Sequence, residues 1–510
     1  MGYNGNIVNK TAKLLMVQGT SSSVGKSMLV TALCHIFHQD GWKVAPFKSQ
    51  NMALNSFVTR DGGEIGRSQA TQAEAAGVEP TVDMNPILLK PEADSRSQVV
   101  VLGKPWITVP AGEYYRYTSK LLKTVKTSLH RLQSEYDIVV IEGAGGPAEV
   151  NLKRHEITNM RIARYTNCPV LLVGDIERGG VFASIVGTLT LLTRTEKKLV
   201  RGFVINKFRG DINILKPGLE FLEKRTKRPV LGVLPYVQKL FLPEEDSLRE
   251  DIDNQDTVRD KLDIVVIALP RISNATDFEP LHQEPDVNLR YVQHPSELRN
   301  PDVIILPGTK STMADLAFIR NNGLDKAITL QAQQRTAIIG VCGGFQMLGQ
   351  RILDPAHVES SQDSVEGLAL LQINTAFFPE KTTRQVEATV VAEKGILTAA
   401  KGQRVTGYEI HMGQSRGDEI RPAFMVNTGG TAYPDGAISE DGRIAGTYLH
   451  GLFDNYEFRR AFLDNLRREK GFSSLARQAL LTRQQQFDKL ADLVRNNLDM
   501  EKIYTISGLR

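Results

Sequence analysis

The sequence has little cysteine, no long apolar run and no strong excess of charge of either sign. Its three cysteines are far apart and show no CxxC spacing, which argues against a disulfide framework and against a cysteine-ligated zinc site. No apolar run reaches the roughly 18 residues that a membrane-spanning helix needs, and the first residues lack the apolar core of a signal peptide. The net charge is only +4, and the basic residues are scattered, which gives no support for nucleic-acid or membrane binding. We therefore expect a cytoplasmic protein.

Short β-branched runs alternate with helical patterns along the chain. Continuous apolar strands that alternate with helices are typical of parallel sheets covered on both faces, so we predict an α/β fold. The runs are KLLMVQG, KVAPF, DIVVIEG, PVLLVGD, RGFVINK, DIVVIAL, DVIILPG, AIIGVCG and IAGTYLH.

A charged stretch with little strand pattern interrupts this alternation near the middle of the chain. Residues 1–240 are predicted to form one domain, 241–262 a charged linker and 263–455 a second domain. Residues 456–510 are predicted to form a helical extension, because no further strand pattern follows His450.

The stretch GTSSSVGKS, residues 19–27, lies between a strand and a helical run, which is the context of a phosphate-binding P-loop. Its leading glycine stands one residue earlier than the usual spacing, but Gly25, Lys26 and Ser27 are intact. Backbone N–H groups and the start of the helix are expected to face the phosphates of ATP. Lys26 would contact the β- and γ-phosphates and Ser27 would ligate Mg²⁺. The predicted ATP-binding residues are Thr20, Ser21, Ser22, Ser23, Val24, Gly25, Lys26, Ser27, Asn206 and Lys207.

In VINKFRGD, Asn206 and Lys207 come after an apolar strand, where they either read the adenine edge or simply end the strand. A P-loop site also needs a carboxylate on the metal, commonly at the end of a neighbouring strand. Glu142 ends the strand DIVVIE and is the first candidate. Glu64 is the second, with Asp61 as its alternative, although a solvated loop carboxylate remains an equal interpretation of either.

The stretch GVCGGFQ places Cys342 between an apolar strand and a helical run, with Gly340 and Gly344 on either side. Small neighbours permit the strained turn of a nucleophile elbow, and the start of a helix favours the thiolate. We therefore predict that Cys342 is a nucleophile.

A thiolate nucleophile needs a base, and His450 in GTYLHGLFDN is the candidate, with His411 in GYEIHMG as its competitor. Gly308 in LPGTKST lies in a strand-to-loop turn, and its N–H group is predicted to join that of Gly343 in an oxyanion hole.

The elbow GVCGGFQMLG resembles that of class I glutamine amidotransferases. The resemblance implies that thiolate attacks the side-chain amide of glutamine, releases ammonia and leaves a glutamyl thioester. Those enzymes usually carry His-x-Glu, but position 452 is Leu here. The orienting glutamate is thus absent, and a dyad of Cys342 and His450 is expected.

Several further stretches resemble the cobyric acid and cobyrinic acid diamide synthases of vitamin B12 biosynthesis, and in particular the cobyric acid synthase branch. They are QNMALNSFVTRDGGEIGRSQATQAEAAG, DMNPILLKP, IEGAGGPAEVNL, DIERGGVFAS, GFVINKFRGD, LPRISNATDFEPL and GYEIHMG. The resemblance implies an amino-terminal P-loop domain of dethiobiotin-synthetase type followed by a glutamine amidotransferase domain. It also implies amidation of the b, d, e and g carboxylates of adenosylcobyrinic acid a,c-diamide through an acyl phosphate, with ATP, Mg²⁺ and glutamine.

Candidate contacts to the corrinoid, each with a structural role as an equal alternative, are Gln50, Asn51, Asn55, Arg67 and Asn85. A homo-oligomer is compatible with the sequence, which does not give the oligomeric state. Three other interpretations are open. The chain could be the related a,c-diamide synthase, it could be a P-loop switch protein of the partitioning type, or its carboxy-terminal half could be a binding module without catalytic activity. The QNMALNS and DMNPILLKP stretches disfavour the first. Ser21, where a switch protein carries its signature lysine, disfavours the second, and Cys342 together with His450 disfavours the third.

Overall fold

The computed structural model describes residues 11–92, 95–237, 260–473 and 481–510. Most of the predicted linker 241–262 therefore lies outside the described residues. All nine predicted runs form strands of two six-stranded sheets, which confirms the α/β prediction. No helix among the described residues is long and apolar enough to cross a membrane.

The first half of the chain is built on one parallel sheet. Its strands, with those of two small sheets beside it, are β1 (Lys13–Gly19), β2 (Val44–Phe47), β3 (Gln50–Met52), β4 (Ser56–Val58), β5 (Glu64–Gly66), β6 (Ile87–Pro91), β7 (Arg96–Val101), β8 (Lys104–Pro110), β9 (Ile138–Glu142), β10 (Val170–Asp175), β11 (Val200–Phe208) and β12 (Val230–Pro235). The helices are α1 (Lys26–Gln39), α2 (Arg67–Ala75), α3 (Ala111–Tyr114), α4 (Thr118–Glu135), α5 (Met160–Thr166), α6 (Val181–Leu191), α7 (Arg194–Leu199) and α8 (Ile212–Thr226).

The parallel sheet has the strand order β12-β11-β10-β1-β9-β2. Residues Leu15, Met16 and Val17 of β1 are fully buried because helices cover both faces of the sheet. Strands β3, β6, β7 and β8 form a separate sheet, and β4 and β5 form a hairpin. The hairpin strand β4 contacts the second half of the chain.

The second half contains another sheet of mostly parallel strands. The strands of this half are β13 (Leu262–Ile267), β14 (Val287–Val292), β15 (Val303–Leu306), β16 (Ala337–Val341), β17 (Arg351–Leu353), β18 (Ser364–Glu366), β19 (Asn374–Val390), β20 (Arg404–Arg416), β21 (Phe424–Thr428), β22 (Thr431–Asp435), β23 (Ala437–Ile438) and β24 (Ile444–Thr447). The helices that follow are α9 (Glu279–His282), α10 (Pro295–Leu298), α11 (Thr312–Asn321), α12 (Leu324–Gln333), α13 (Gly343–Leu348), α14 (Tyr456–Glu469), α15 (Arg483–Asn497) and α16 (Met500–Ser507).

This second sheet has the order β14-β13-β15-β16-β24-β23, and only β23 runs antiparallel to its neighbour. Because β16 and β24 are adjacent and parallel, the residues after them lie at one edge of the sheet. A further sheet of mostly antiparallel strands holds the long pair β19 and β20. The sequence patterns did not predict this sheet.

The carboxy-terminal helices divide between the two halves. Helix α14 packs Phe458, Phe462 and Leu463 into the core of the second half. Helices α15 and α16 pack instead on the first half, where Phe487 lies in the core beside α1. Its ring centroid is 5.7 Å from that of His35. The end of the chain therefore covers one face of the parallel sheet of the first half.

We expect Phe487→Ala to destabilise that first half locally. A buried Phe→Ala change costs about 3–5 kcal/mol, because it removes apolar contacts and leaves a cavity. The rate of amide hydrogen exchange should therefore rise in α1 and stay unchanged in β15 and β16. Lys489→Ala, an exposed position of the same helix, is the matched control. Unchanged exchange in α1 would contradict this packing.

Candidate active sites

The P-loop connects β1 to α1, and its shape depends on Gly25. This residue has φ of 95°, a left-handed conformation that glycine adopts without strain. A Cβ there would lie 2.1 Å from Asn206 Nδ2. Asn206 donates from Nδ2 to the Val24 carbonyl at 2.8 Å, so it braces the loop from the end of β11. Its buried Oδ1 has no hydrogen-bond partner among the described residues.

Glu142 lies directly beside the P-loop, as predicted from its place at the end of β9. The Ser27 hydroxyl donates to Glu142 Oε1 at 2.9 Å, and Lys48 Nζ donates to the same oxygen at 3.0 Å. Gln72 of α2 donates to the other oxygen at 2.5 Å. Burial alone would raise the pKa of Glu142, but Lys48, Gln72 and Lys26 more than offset it and hold the pKa below its usual value. The carboxylate is therefore ionised and fixed. Sequence reasoning missed Lys48 and Gln72.

The two lysines of the predicted ATP site have different surroundings. Lys26 Nζ donates to the Ser21 carbonyl at 3.0 Å across the loop. Its positive charge also helps to lower the pKa of Glu142. Lys207 forms an ion pair with Asp175 Oδ2 at 3.0 Å at the ends of two adjacent strands.

The structure does not bring Glu64 to Ser27. Glu64 is fully buried in β5, where Lys90 and Lys381 donate to its two oxygens at 2.6 and 2.5 Å. These ammonium groups hold the pKa of Glu64 well below its usual value although burial opposes them. Two lysines pair with this carboxylate, so the metal proposal rests first on Ser27 and Glu142, which bond each other, and Glu64 stays a predicted ligand. The alternative, Asp61, accepts a hydrogen bond from Thr59.

Cys342 lies in the sharp turn between β16 and α13. Its φ of 49° is rare for a residue other than glycine and is the strain of a nucleophile elbow. The turn also depends on Gly344, because a Cβ there would lie 1.9 Å from the Leu306 carbonyl oxygen. The thiol is 3.7 Å from the Ile410 carbonyl oxygen.

His450 follows β24, so its ring lies at the same sheet edge as Cys342, and the two side chains interact. His450 Nδ1 is 2.6 Å from Asp277 Oδ2, and both residues are buried. The Tyr408 ring stacks on the imidazole with centroids 5.3 Å apart. Burial disfavours the charged ring, but Asp277 and Cys342 more than offset this and raise the pKa of His450 to about 10. The imidazolium is thus the stable form near neutral pH.

Asp277 corrects the expectation of a dyad. The sequence lacks a glutamate two residues after the histidine, and a carboxylate from the turn Ala275–Phe278, 173 residues away along the chain, takes that place. Its other oxygen accepts from Gly451 N–H at 3.0 Å. Two sequence signals were available for Asp277. It lies in the family-like stretch LPRISNATDFEPL, and this stretch follows the strand DIVVIAL, whose carboxyl end lies at the sheet edge that also carries the cysteine and the histidine.

Gly308 and Gly343 both lie beside the predicted nucleophile and base. A Cβ on Gly308 would be 3.0 Å from His450 Cε1, and one on Gly343 would be 3.1 Å from Thr309 N. His411 is engaged elsewhere, because its Nδ1 bonds the Gly413 carbonyl at 2.7 Å. Burial lowers the pKa of His411 to about 4, whereas His450 is the histidine whose side chain bonds Cys342.

Most of the five candidate corrinoid contacts are engaged within the protein. Asn51 bonds Gln69 at 2.9 Å, and Asn85 bonds three backbone groups. Arg67 is buried and pairs with Asp454 at 3.6 Å, and Asn55 bonds Ala275 N–H. Gln50 alone of the five is partly exposed; it accepts from Tyr114 OH at 2.5 Å.

We expect Asp277→Asn to lower the pKa of His450 from about 10 towards that of a free imidazole, about 6.5, because it removes the negative charge. A pH titration of ¹⁵N-labelled histidine by NMR measures this value, with His450→Gln assigning the signal. Asp454→Asn changes a nearby carboxylate that does not bond the ring and should leave the pKa unchanged. An equal fall in both variants would contradict the assignment of Asp277.

Two families match the two halves of the chain. Residues 15–248 match the CobQ/CobB/MinD/ParA nucleotide binding domain. Residues 263–458 match the CobB/CobQ-like glutamine amidotransferase domain. Among solved structures, PurLQS from Thermotoga maritima covers 40% of this chain and 99% of its own chain at 20% identity, but its TM-score of 0.29 is too low to bear on the fold.

Curated relatives match over nearly the full length. A cobyric acid synthase of Dehalococcoides mccartyi is 53% identical over 505 residues, which cover 98% of this chain and 100% of the relative. A cobyric acid synthase of Caldanaerobacter subterraneus is 50% identical over 499 residues, covering 96% of this chain and 98% of the relative. With a P-loop site in one half and a cysteine elbow in the other, this chain is a glutamine-dependent amidoligase and belongs to the cobyric acid synthase family.

Proposed function

We propose that the chain amidates the b, d, e and g carboxylates of adenosylcobyrinic acid a,c-diamide in four rounds, each through an acyl phosphate. The single observation that carries the amidation chemistry is the pairing of a P-loop site and a glutaminase-type triad in two docked halves, and the corrinoid and its four positions are proposed from the resemblance to cobyric acid synthases. A carboxylate is a poor acyl donor, so one site has to activate it while the other supplies the amine. We further propose that residues 1–240 act as the synthetase domain and 263–455 as the glutaminase domain.

At the P-loop, a corrinoid carboxylate oxygen attacks the γ-phosphorus of ATP, and ADP leaves. Lys26 and the backbone N–H groups of residues 20–25 stabilise the charge on the transferring phosphoryl group. Asn206 Oδ1, the buried acceptor left without a partner among the described residues, is suited to the exocyclic amino group of adenine. Lys207 lies next to it on β11 and completes the proposed nucleotide contacts.

The residues present fit a magnesium ion. A hydroxyl and an ionised carboxylate, Ser27 and Glu142, lie 2.9 Å apart, and Mg²⁺ prefers oxygen ligands and takes one or two from the protein beside those of the phosphates. When bound, the ion would neutralise charge on the phosphates of ATP. Lys48, which donates to Glu142 at 3.0 Å, keeps the carboxylate ionised and in place.

At the second site, Cys342 attacks the side-chain amide carbon of glutamine, and the N–H groups of Gly308 and Gly343 hold the oxyanion. His450 donates a proton to the departing nitrogen, ammonia leaves, and a water molecule then hydrolyses the glutamyl thioester. The lone pair of ammonia attacks the acyl carbon of the corrinoid acyl phosphate, and phosphate leaves. Local supply matters because ammonia in neutral water is mostly ammonium, which has no free lone pair.

The corrinoid is proposed to lie at the synthetase half next to Gln50. The side chains of Met52 and Tyr115 are exposed there, one on the same strand as Gln50 and one beside its partner Tyr114. They offer apolar surface for a large ring. Asn51, on the same strand as Gln50, and Asn85, just before the paired strand β6, are buried. We also propose that the enzyme is cytoplasmic and binds no nucleic acid, and a homo-oligomer stays compatible with this proposal.

Cys342→Ser should abolish glutamine-dependent amidation and spare amidation driven by added ammonia, because only the first needs the thiolate. Mass spectrometry of the corrinoid product, read as stepwise replacement of hydroxyl by amino groups, measures both reactions. Cys168→Ala, a buried cysteine of the first half, is the control and should retain both. Loss of both reactions in Cys342→Ser would contradict the division of labour.

An acyl phosphate should carry one carboxylate oxygen into the released phosphate. With corrinoid carboxylates labelled with ¹⁸O, we expect one ¹⁸O per phosphate, detected by the isotope shift in ³¹P NMR. Lys26→Met should stop both this transfer and amidation, since it removes the charge that stabilises phosphoryl transfer. Label in AMP, or phosphate without label during continued amidation, would overturn the acyl phosphate.

A further inference from the structure

A segment of the first half reaches the glutaminase site of the second half. Ser56 N–H donates to Asn274 Oδ1 at 2.8 Å, and Ala275 N–H donates to Asn55 Oδ1 at 3.0 Å. All four residues are buried. The two bonds therefore cross the boundary between the halves in a place that water does not reach.

Asn274 and Ala275, the second-half partners in these bonds, begin the turn that carries the triad carboxylate. Asn274 adopts a left-handed conformation with φ of 55° and precedes the short 3-10 turn Ala275–Phe278. Asn274 Nδ2 is also 3.4 Å from His450 Nδ1. Asp277, in the middle of this turn, contacts the same nitrogen at 2.6 Å. The placement of Asp277 thus depends on how the turn begins.

A third contact joins the same two regions. The Tyr408 hydroxyl donates to the Ser56 carbonyl at 3.3 Å, and the ring of Tyr408 stacks on His450. Ser56 therefore touches both the turn that carries Asp277 and the aromatic ring that covers the base. The groups that contact the imidazole are Asp277, Cys342, Asn274 and Tyr408. His411 is the further titratable side chain whose charge interacts with it.

We propose that Asn55 is a positioning residue of the glutaminase site, contributed by the nucleotide-binding half. Its carboxamide oxygen fixes the Ala275 N–H group at the start of the turn, so Asp277 is aligned with His450 only when the halves are docked. This assignment replaces a corrinoid contact for Asn55, whose side chain faces the second half. The inference rests on the proposed roles of Cys342 and His450.

The test compares Asn55→Ala with Gln385→Ala in the full-length enzyme. Gln385 Nε2 donates to the Val58 carbonyl at 2.9 Å, so its replacement also removes one hydrogen bond between the halves, but not one to the turn. Asn55→Ala should lower kcat for glutamine hydrolysis by about 10- to 100-fold, as small misplacements of catalytic groups do. Gln385→Ala should change kcat by less than about twofold, because surrounding contacts remain.

The pH dependence of kcat/KM for glutamine hydrolysis distinguishes a displaced Asp277 from a general weakening of the contact between the two halves. In Asn55→Ala the limb that reports loss of the imidazolium proton should move to lower pH, because a displaced Asp277 no longer raises the pKa of His450. Asn55→Asp retains an acceptor oxygen and should restore most of kcat. Ammonia-driven amidation needs no triad and should persist in every variant.

A second variant keeps the test decisive if Asn55→Ala does not fold. Asn274→Gly permits the positive φ and removes the carboxamide that Ser56 bonds, so it should produce the same loss and the same shift of the pH profile.

Equal losses in Asn55→Ala and Gln385→Ala, or an unshifted profile, would overturn the proposal. A raised KM for corrinoid in the ammonia-driven amidation of Asn55→Ala would overturn it too, and would indicate instead that Asn55 contacts the corrinoid. A Cys342→Ser enzyme that still hydrolyses glutamine would refute the proposed function itself, independently of Asn55.

Discussion

A buried carboxylate–imidazolium pair, Asp277 with His450, is the interaction on which the glutaminase site depends. Burial alone would drive the imidazole to its neutral form, yet the carboxylate oxygen at 2.6 Å reverses that preference. The pair also ties together chain segments that follow β13 and β24, two strands of one sheet. The thiol at the end of β16 completes the arrangement, because parallel strands bring their carboxyl ends to a common edge.

The P-loop site also depends on a buried group that stays charged. There the buried group is a carboxylate, and the groups around it are cationic or hydrogen-bond donors. Glu142 is a buried carboxylate that remains ionised because Lys48 and Gln72 donate to it. Gln72 belongs to α2, which follows the β4–β5 hairpin, and that hairpin begins next to Asn55. One stretch of about twenty residues therefore contacts the nucleotide site at one end and the glutaminase turn at the other. Docking of the two halves is thus part of how the glutaminase site is built.

The strands, and the turns that hold Lys26 and Cys342, could be predicted from the sequence because they depend on local residue patterns. Nine apolar runs became strands, and the two glycine-framed turns placed Lys26 and Cys342 between strand and helix. Glu142 and His450 were predictable because each ends or follows a strand of a parallel sheet, but side chains held by distant partners on turns and hairpins were not. Asp277 meets its histidine across 173 residues, and Asn55 meets Ala275 across 220. Periodicity fixes which face of an element is buried, but not which element of another half lies against it. For the same reason the sequence did not predict that Lys381, which lies 317 residues further on, pairs with Glu64.

The central claim is that ammonia released at Cys342 is used at the P-loop site of the same molecule before it equilibrates with solvent. The direct measurement supplies glutamine labelled with ¹⁵N in its side-chain amide together with excess unlabelled ammonium, and weighs the corrinoid amides by mass spectrometry. The account predicts that, at saturating glutamine, the share of ¹⁵N in the new amides stays far above the share of ¹⁵N in the total free ammonia of the buffer. Label diluted in proportion to the added ammonium would contradict it.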